Sequence, residues 1–189
     1  MTPSNDTALL LMDLQKVIVE RFGGSAELLA GVQSAIRTAR RADVPVIYVR
    51  LVFRNGYPEV DDNNPIFRGI KESGRFNEND EDVVFPDEIA PGPDDIVVTK
   101  KRISAFAGSD LAYVLASLGV RELVMGGVAT SGVVLSTLRQ ASDLDFRAVV
   151  LRDACGDLDA EVHRVLLDRV FPRQAEVMTT AEWAARRAP

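Results

Sequence analysis

The chain has 189 residues, of which 47% are hydrophobic and 26% charged, and its formal net charge is −6. This composition is typical of globular proteins, and the negative charge argues against a nucleic-acid surface, which needs a concentrated basic stripe. The apolar runs are far shorter than the roughly 18 residues of a membrane span, which argues against a membrane protein. The single cysteine, Cys155, and a polar segment 1–7 without a secretory signal pattern predict a cytoplasmic protein.

Short apolar runs alternate with amphipathic segments along the chain, beginning with the run at residues 7–12. Six runs have the length and composition of buried strands, at residues 7–12, 45–52, 96–99, 122–125, 147–151 and 175–178. Apolar side chains recur at helical spacing between and after them, over residues 25–42, 109–119, 131–141, 159–170 and 180–186.

The alternation predicts βαβ units, a mostly parallel sheet and helices on both of its faces. The expected fold is therefore a three-layer α-β-α, Rossmann-like α/β domain, and without an internal repeat or linker we expect a single domain over residues 1–189.

Segment 53–93 does not follow this alternation of strands and helices. It is rich in Asp, Asn, Gly and Pro, and loops of this length are usually lids, binding loops or partner contacts. The alternative is a structural excursion with a short helix around residues 80–89.

Polar side chains follow three of the predicted strands. Asp13 follows the first strand, Lys100 the third, and a glycine-rich turn, Gly126–Gly132, the fourth. Ligands of open parallel sheets bind outside the carboxyl ends of the strands, so an acid, a lysine and a set of backbone N–H groups would meet there. Such groups can transfer a proton and hold an anion. Each feature also has a structural interpretation: a turn-capping aspartate, a solvated lysine and glycines that permit close packing.

Three motifs occur in order along the chain. They are ALLLMDLQ at residues 8–15, TKKRISAF at 99–106 and GGVATSGVVLSTLRQA at 126–141. Together they resemble the isochorismatase-like hydrolase family, also called the cysteine hydrolase superfamily. The resemblance implies an isochorismatase-like fold with a six-stranded parallel sheet, and hydrolysis of a small molecule such as an amide, an N-carbamoyl compound or isochorismate. It also implies a homodimer or homotetramer.

The resemblance implies roles for individual residues. Asp13 matches the catalytic acid of the family and Lys100 its lysine. A cis peptide bond is implied between Val128 and Ala129, with an oxyanion hole formed by the backbone N–H groups of Ala129 and Val133. Further substrate contacts are expected from Gln15, Phe53, Phe106 and Ser131.

The chain departs from the family pattern at Val133. Cysteine-bearing members read G-V-A-T-x-x-C, and valine stands here at the seventh position. An isopropyl group cannot attack a carbonyl, so the expected chemistry is non-covalent, with Asp13 as general acid or base and Lys100 as its electrostatic partner. One alternative is a pseudoenzyme that binds a ligand or partner protein. Another is an amidase with a different nucleophile, such as Cys155 or an activated serine.

Neither a metal nor another cofactor is expected. Nicotinamidases of the family use an aspartate and two histidines for a metal ion, whereas this chain has one histidine, His163. It falls within the predicted helix 159–170, and the expectation is that it packs there rather than binding a metal.

Overall fold

The computed structural model of the chain describes residues 6–22 and 25–188. Six strands form one sheet, in which every neighbouring pair is parallel. The strands are β1 (Thr7–Met12), β2 (Val46–Leu51), β3 (Ile96–Lys100), β4 (Glu122–Val128), β5 (Arg147–Gly156) and β6 (Glu176–Met178). Their order across the sheet is β3-β2-β1-β4-β5-β6. This arrangement confirms the predicted Rossmann-like α/β fold. The polar residues 1–5, part of the segment predicted to lack a secretory signal, lie outside the described residues.

Helices connect successive strands and follow the last one. They are α1 (Lys16–Arg21), α2 (Ala26–Arg41), α3 (Pro65–Ser73), α4 (Leu111–Ser117), α5 (Leu135–Asp143), α6 (Ala160–Val165) and α7 (Thr180–Arg186). Ser25 caps α2 as predicted, since its Oγ accepts a hydrogen bond from the Leu28 N–H at 3.1 Å. The predicted helices 131–141 and 159–170 each contain a π-helical turn, at Thr130–Val134 and Leu166–Val170.

The central strand β1 is buried on both faces. Its alternate residues Ala8, Leu10 and Met12 pack into the hydrophobic cluster on one side of the sheet, while Leu9 and Leu11 pack into the cluster on the other side. Successive side chains of a strand point to opposite faces, so this apolar run without polar alternation supplies both cores at once. The helices cover both faces, which gives the three layers predicted from the sequence.

The chain reverses its direction of winding between β1 and β4, which are neighbours in the sheet. A crevice opens at the carboxyl ends of strands at such a switch point. Strand β4 approaches both of its neighbours closely, β1 at Gly127 and β5 at Gly126. A Cβ on Gly127 would lie 2.4 Å from the Met12 carbonyl oxygen, and one on Gly126 would lie 2.9 Å from that of Ala154. These two glycines therefore serve close packing, one of the two interpretations left open by the sequence.

Segment 53–93 folds into a short helix, α3, and two single 3₁₀ turns, Glu81–Val83 and Asp87–Ile89. The helix predicted around residues 80–89 is thus two separate turns. Asn64 caps α3 by accepting a hydrogen bond from the Phe67 N–H at 3.3 Å. Phe67 then packs in a small apolar cluster beside the main core, with Leu51, Phe53, Tyr57 and Val60. The segment is consequently a packed wall at the carboxyl edge of the sheet.

Candidate active site

Asp13 lies immediately after β1, at the switch point of the sheet. Its backbone adopts a left-handed conformation with φ of 54°, and its N–H donates a hydrogen bond to the Val49 carbonyl at 2.9 Å. Aspartate tolerates this conformation better than most residues. The residue is only 8% exposed, so the carboxyl group is held at the floor of the crevice.

Lys100 is the last residue of β3 and is 2% exposed. Its Nζ lies 3.0 Å from Asp13 Oδ2 and donates a second hydrogen bond to the Arg102 carbonyl at 2.8 Å. The other carboxylate oxygen, Asp13 Oδ1, is buried and has no hydrogen-bond partner among the described residues. One oxygen of Asp13 is therefore committed to the lysine, while the hydrogen-bonding capacity of the second is unused among the described residues.

Burial and the lysine act in opposite directions on the Asp13 carboxyl group. Desolvation is the larger effect and raises the pKa of Asp13 above its ordinary value of 3.8, whereas the charge and hydrogen bond of Lys100 lower it. A carboxyl group with a raised pKa is suited to general acid–base catalysis, because it retains a proton closer to neutral pH.

A pocket of about 520 Å³ opens above the pair, which is within the usual range for small-molecule sites. Asp13 and Lys100 belong to its lining, as do Ala129 and Val133. Most of the remaining wall is apolar and comes from α1, α3 and nearby residues, with Val17, Ile18, Phe22, Ile66, Phe67, Ile70 and Phe76 among them.

The segment after β4 forms a further part of the pocket wall. The peptide bond between Val128 and Ala129 is cis, and the π-helical turn begins at the next residue, Thr130. Thr130 Oγ1 donates to the Gly156 carbonyl at 3.0 Å and lies 2.8 Å from His163 Nδ1. These contacts anchor the turn to β5 and α6, so Ala129 and Val133 are held in fixed positions against the pocket.

Comparison with known proteins identifies the family of this chain. The model of the isochorismatase domain matches residues 7–182. The chain belongs to the isochorismatase family. A similar curated protein is the ureidoacrylate amidohydrolase RutB of Stutzerimonas stutzeri (strain A1501), which is 31% identical over 173 residues, covering 80% of this chain and 70% of that protein. The chain is accordingly a hydrolase of the isochorismatase family.

Solved structures of similar proteins share the fold over nearly their whole length. A cysteine hydrolase from Pseudomonas syringae pv. phaseolicola 1448A has a TM-score of 0.88 at 27% identity, over 99% of this chain and 95% of that chain. The N-carbamoylsarcosine amidase from Thermoplasma acidophilum has a TM-score of 0.74 at 24% identity, over 92% of this chain and 96% of that chain. The second likeness is one of fold alone.

The four residues predicted to contact substrate lie outside the lining of this pocket. Gln15 is fully buried and uses its amide on the backbone of Leu51, accepting from its N–H at 2.8 Å and donating to its carbonyl at 3.0 Å. Phe53 is fully buried behind the wall, against Tyr57 and Phe67. These contacts give both residues a structural role, in which they fix the ends of β1 and β2 and support α3.

Phe106 and Ser131 also lie outside the lining of the pocket. Phe106 is 9% exposed and packs near the Phe146 ring, with ring centroids 6.1 Å apart. The Ser131 N–H donates to Asp157 Oδ2 at 2.6 Å, and the residue is exposed to solvent. Within the isochorismatase family motif of this chain, Ser131 therefore helps to tie the turn to the segment after β5.

Cys155 and His163 lie apart from the acid–lysine pair. Cys155 is 6% exposed and packs in the core, and burial raises the pKa of its thiol to about 12. Since the thiolate is the nucleophile, this site disfavours reactivity. His163 is half-buried and contacts Thr130, while burial lowers its pKa. It therefore packs against the turn, in agreement with the helix-packing expectation.

Within residues 6–22 and 25–188, no group of three or more His, Cys, Asp or Glu side chains is placed to hold a metal ion. Across the same ranges, no helix is both long and apolar enough to cross a bilayer.

Several residues of the pocket escaped the sequence reasoning. Arg21 and Phe22 come from α1 and its end, and Arg75 follows α3. Neither helix was predicted. The sequence did hold a signal for α3, because Asn64 and Pro65 form a capping pair and Gly74 ends the helix in a left-handed conformation with φ of 70°.

Proposed function

We propose that this hydrolase cleaves a small molecule without a covalent enzyme intermediate, with Asp13 as general acid or base and Lys100 as its electrostatic partner. The observation that carries the proposal is the buried contact of 3.0 Å between the Asp13 carboxylate and the Lys100 ammonium at the floor of the pocket. Val133 occupies the position where cysteine-bearing relatives are expected to hold their nucleophile. The pair is thus the reactive group that remains.

The substrate is proposed to be a vinyl ether or an amide-type compound. For a vinyl ether, protonated Asp13 would donate its proton to the alkene carbon, water would add to the resulting oxocarbenium ion, and the carboxylate would recover a proton from that water. The hemiacetal or hemiketal formed would then break its bond to the ether oxygen, giving a carbonyl compound and an alcohol. For an amide, Asp13 as carboxylate would accept a proton from the attacking water and pass it to the departing nitrogen. Ala129 and Val133 are residues of the pocket lining, and their backbone N–H groups would stabilise the oxyanion.

The two roles of Asp13 predict opposite pH dependences. The acid role requires the proton, so kcat/KM would fall as pH rises through the raised pKa of Asp13 in the free enzyme. The base role requires the carboxylate, so kcat/KM would rise over the same interval. A pH profile with a cleaved substrate therefore distinguishes vinyl-ether from amide chemistry at this site.

The direct test is turnover of isochorismate and of a panel of amides and N-carbamoyl compounds. Asp13→Asn is expected to lower kcat at least a hundredfold, the size of a general acid–base contribution. Asp143→Asn, at the exposed end of α5, is the matched control and should retain full activity. A fully active Asp13→Asn, Lys100→Ala double variant would refute the proposal.

A second candidate, a pseudoenzyme that binds a ligand or partner protein, is motivated by Val133. This side chain is 3% exposed and lines the pocket. Val133→Cys separates the candidates when tested on the amide panel. New amidase activity would show that acid, lysine and oxyanion groups are competent for catalysis. A wild type that binds a small ligand in this pocket but turns over no compound of the panel would favour the pseudoenzyme.

We further propose that the protein acts in the cytoplasm as a homodimer or homotetramer. A single cysteine, buried and without a disulfide among the described residues, is consistent with a reducing compartment. Light scattering coupled to gel filtration tests the oligomeric state, since a mass of one chain, 20.6 kDa, would contradict it.

A further inference from the structure

Positively charged side chains outnumber negatively charged ones in the lining of the pocket. Among the described residues of the lining, Arg21, Arg75 and Lys100 are basic and Asp13 alone is acidic. Lys100 is already paired with Asp13 at 3.0 Å. The floor of the pocket therefore holds a compensated pair. Arg75 takes part in interactions of its own, so Arg21 is the side chain considered below as the ligand of an anion.

Arg21 and Arg75 reach the pocket from two different segments. Arg21 is the last residue of α1 and is exposed to solvent. Arg75 follows α3, and its backbone is held by the Tyr57 hydroxyl, which donates to the Arg75 carbonyl at 2.8 Å. A guanidinium presents several N–H donors in a planar fork that matches a carboxylate. Arg21 is thus chemically suited to binding a small organic anion.

The rest of the wall specifies the body of such an anion. Three phenylalanines, Phe22, Phe67 and Phe76, line the pocket with Ile66 and Ile70. Removal of apolar surface from water favours a ligand with an aromatic or branched aliphatic body, and aromatic side chains add favourable ring contacts. A cationic ligand is disfavoured, because the one acidic side chain of the lining is engaged by Lys100.

We propose that the pocket takes a small organic carboxylate with an aromatic or branched apolar body, and that Arg21 binds its carboxylate group. This inference rests on the proposed function only in treating the pocket as the active site. The susceptible bond would lie at Asp13 and Lys100, while the carboxylate would lie at the α1 wall. Substrate selection by charge would then be separate from the chemical step.

Benzoate and its neutral isostere acetophenone test the inference by titration calorimetry or ligand-observed NMR. Wild-type protein is expected to bind benzoate roughly threefold to fivefold more tightly than acetophenone, the range expected of a solvent-exposed ion pair. Benzylamine should bind more weakly than either. Acetate, which has the charge without the apolar body, should also bind more weakly than benzoate. The preference for benzoate should decline with added salt, since exposed charges are screened.

Arg21→Gln should abolish the preference for benzoate and leave the affinity for acetophenone unchanged. Arg37→Gln is the matched control, because Arg37 is an exposed residue of α2 outside this pocket, and it should retain the preference. Equal binding of benzoate and acetophenone by the wild type would overturn the inference. A preference that persists in Arg21→Gln would also overturn it, because the carboxylate would then be held by another group.

These outcomes are independent of turnover. Neither benzoate nor acetophenone contains a bond that the proposed reaction cleaves, so an inactive protein can show the Arg21-dependent preference and an active hydrolase can lack it. Failure of the inference is thus distinct from failure of the proposed function, which is measured by the loss of kcat in Asp13→Asn.

Discussion

Lys100→Met removes one partner of the buried pair while roughly conserving the volume of the side chain. Asp13, which is 8% exposed, then remains without the charge that lies 3.0 Å away in the wild type. Loss of one partner of a buried ion pair typically costs about 3–5 kcal/mol, because a buried charge is left uncompensated. We expect a loss of this size in the free energy of unfolding at high pH.

The loss should depend on pH with a defined sign. In the wild type, burial already holds the pKa of Asp13 above 3.8, and Lys100 opposes that effect. Without Lys100 the pKa rises further. Consider a pH between the pKa of Asp13 in the native wild type and its pKa in the native variant. At this pH Asp13 is protonated in the native variant and ionised in the native wild type, and it is ionised in both unfolded chains. The stability of the variant therefore falls relative to wild type as pH increases, by at most about 1.4 kcal/mol per pH unit.

Trp183 provides the assay. It is the single tryptophan of the chain and is 1% exposed, so its fluorescence should report unfolding in urea at a series of pH values. Asp13→Asn combined with Lys100→Met removes the buried charge and should recover most of the loss at high pH. Lys71→Met, which breaks an exposed pair with Asp62, is the control and should cost less than about 1 kcal/mol.

Two results would refute this reasoning. One is an equal destabilisation of Lys100→Met at every pH, because the cost would then come from packing rather than from the charge of Asp13. The other is a double variant as unstable as Lys100→Met at high pH, because removal of the carboxylate would then relieve nothing.

Two further predictions concern packing and reactivity. Gly31→Ala should destabilise the protein by at least about 2 kcal/mol in thermal or urea unfolding, because the new Cβ would lie 1.9 Å from the Asp153 carbonyl oxygen. Gly69→Ala, also within a helix but with no atom within 4 Å of the new Cβ, should be neutral or slightly stabilising, and equal effects of the two changes would contradict the argument. Cys155 should resist iodoacetamide in native protein at neutral pH and react after denaturation, because burial raises its thiol pKa to about 12; rapid labelling of native protein, detected by mass spectrometry, would contradict its inert role.

The alternation of apolar runs and amphipathic segments was sufficient to predict the parallel sheet, because a doubly buried strand requires continuous apolar residues. It was insufficient for the lengths of β4 and β5. Both strands continue beyond their apolar runs, β4 through Gly126 and Gly127, and β5 through polar Arg152 and Asp153. Their pairing shifts register between Met125 and Gly127. A local apolar pattern does not contain this information, since it depends on how closely the neighbouring strands approach.

The candidate site was predictable where it lies at strand ends. Asp13 and Lys100 follow from the rule that ligands bind at the carboxyl ends of parallel strands, together with the resemblance. The wall contributed by α1 was not predictable in the same way, since six residues are too few for a periodic signal. Gln15 shows the opposite case, a residue that the sequence indicated for the site but that the structure uses elsewhere. Its type suits substrate binding, but its amide is used by the backbone of Leu51, and only the folded structure shows this competition.

The sheet order places the two partners of the acid–lysine pair on strands that differ in how readily they open to solvent. Asp13 follows the central strand β1, whereas Lys100 ends β3, an edge strand that pairs only with β2 among the described strands. Edge elements open at lower free energy than the core of a domain. Backbone amides of β3 should accordingly exchange with deuterium sooner than those of β1. Local fraying of one border of the sheet would then separate the lysine from the carboxylate, and on heating we expect hydrolysis to be lost before the fold.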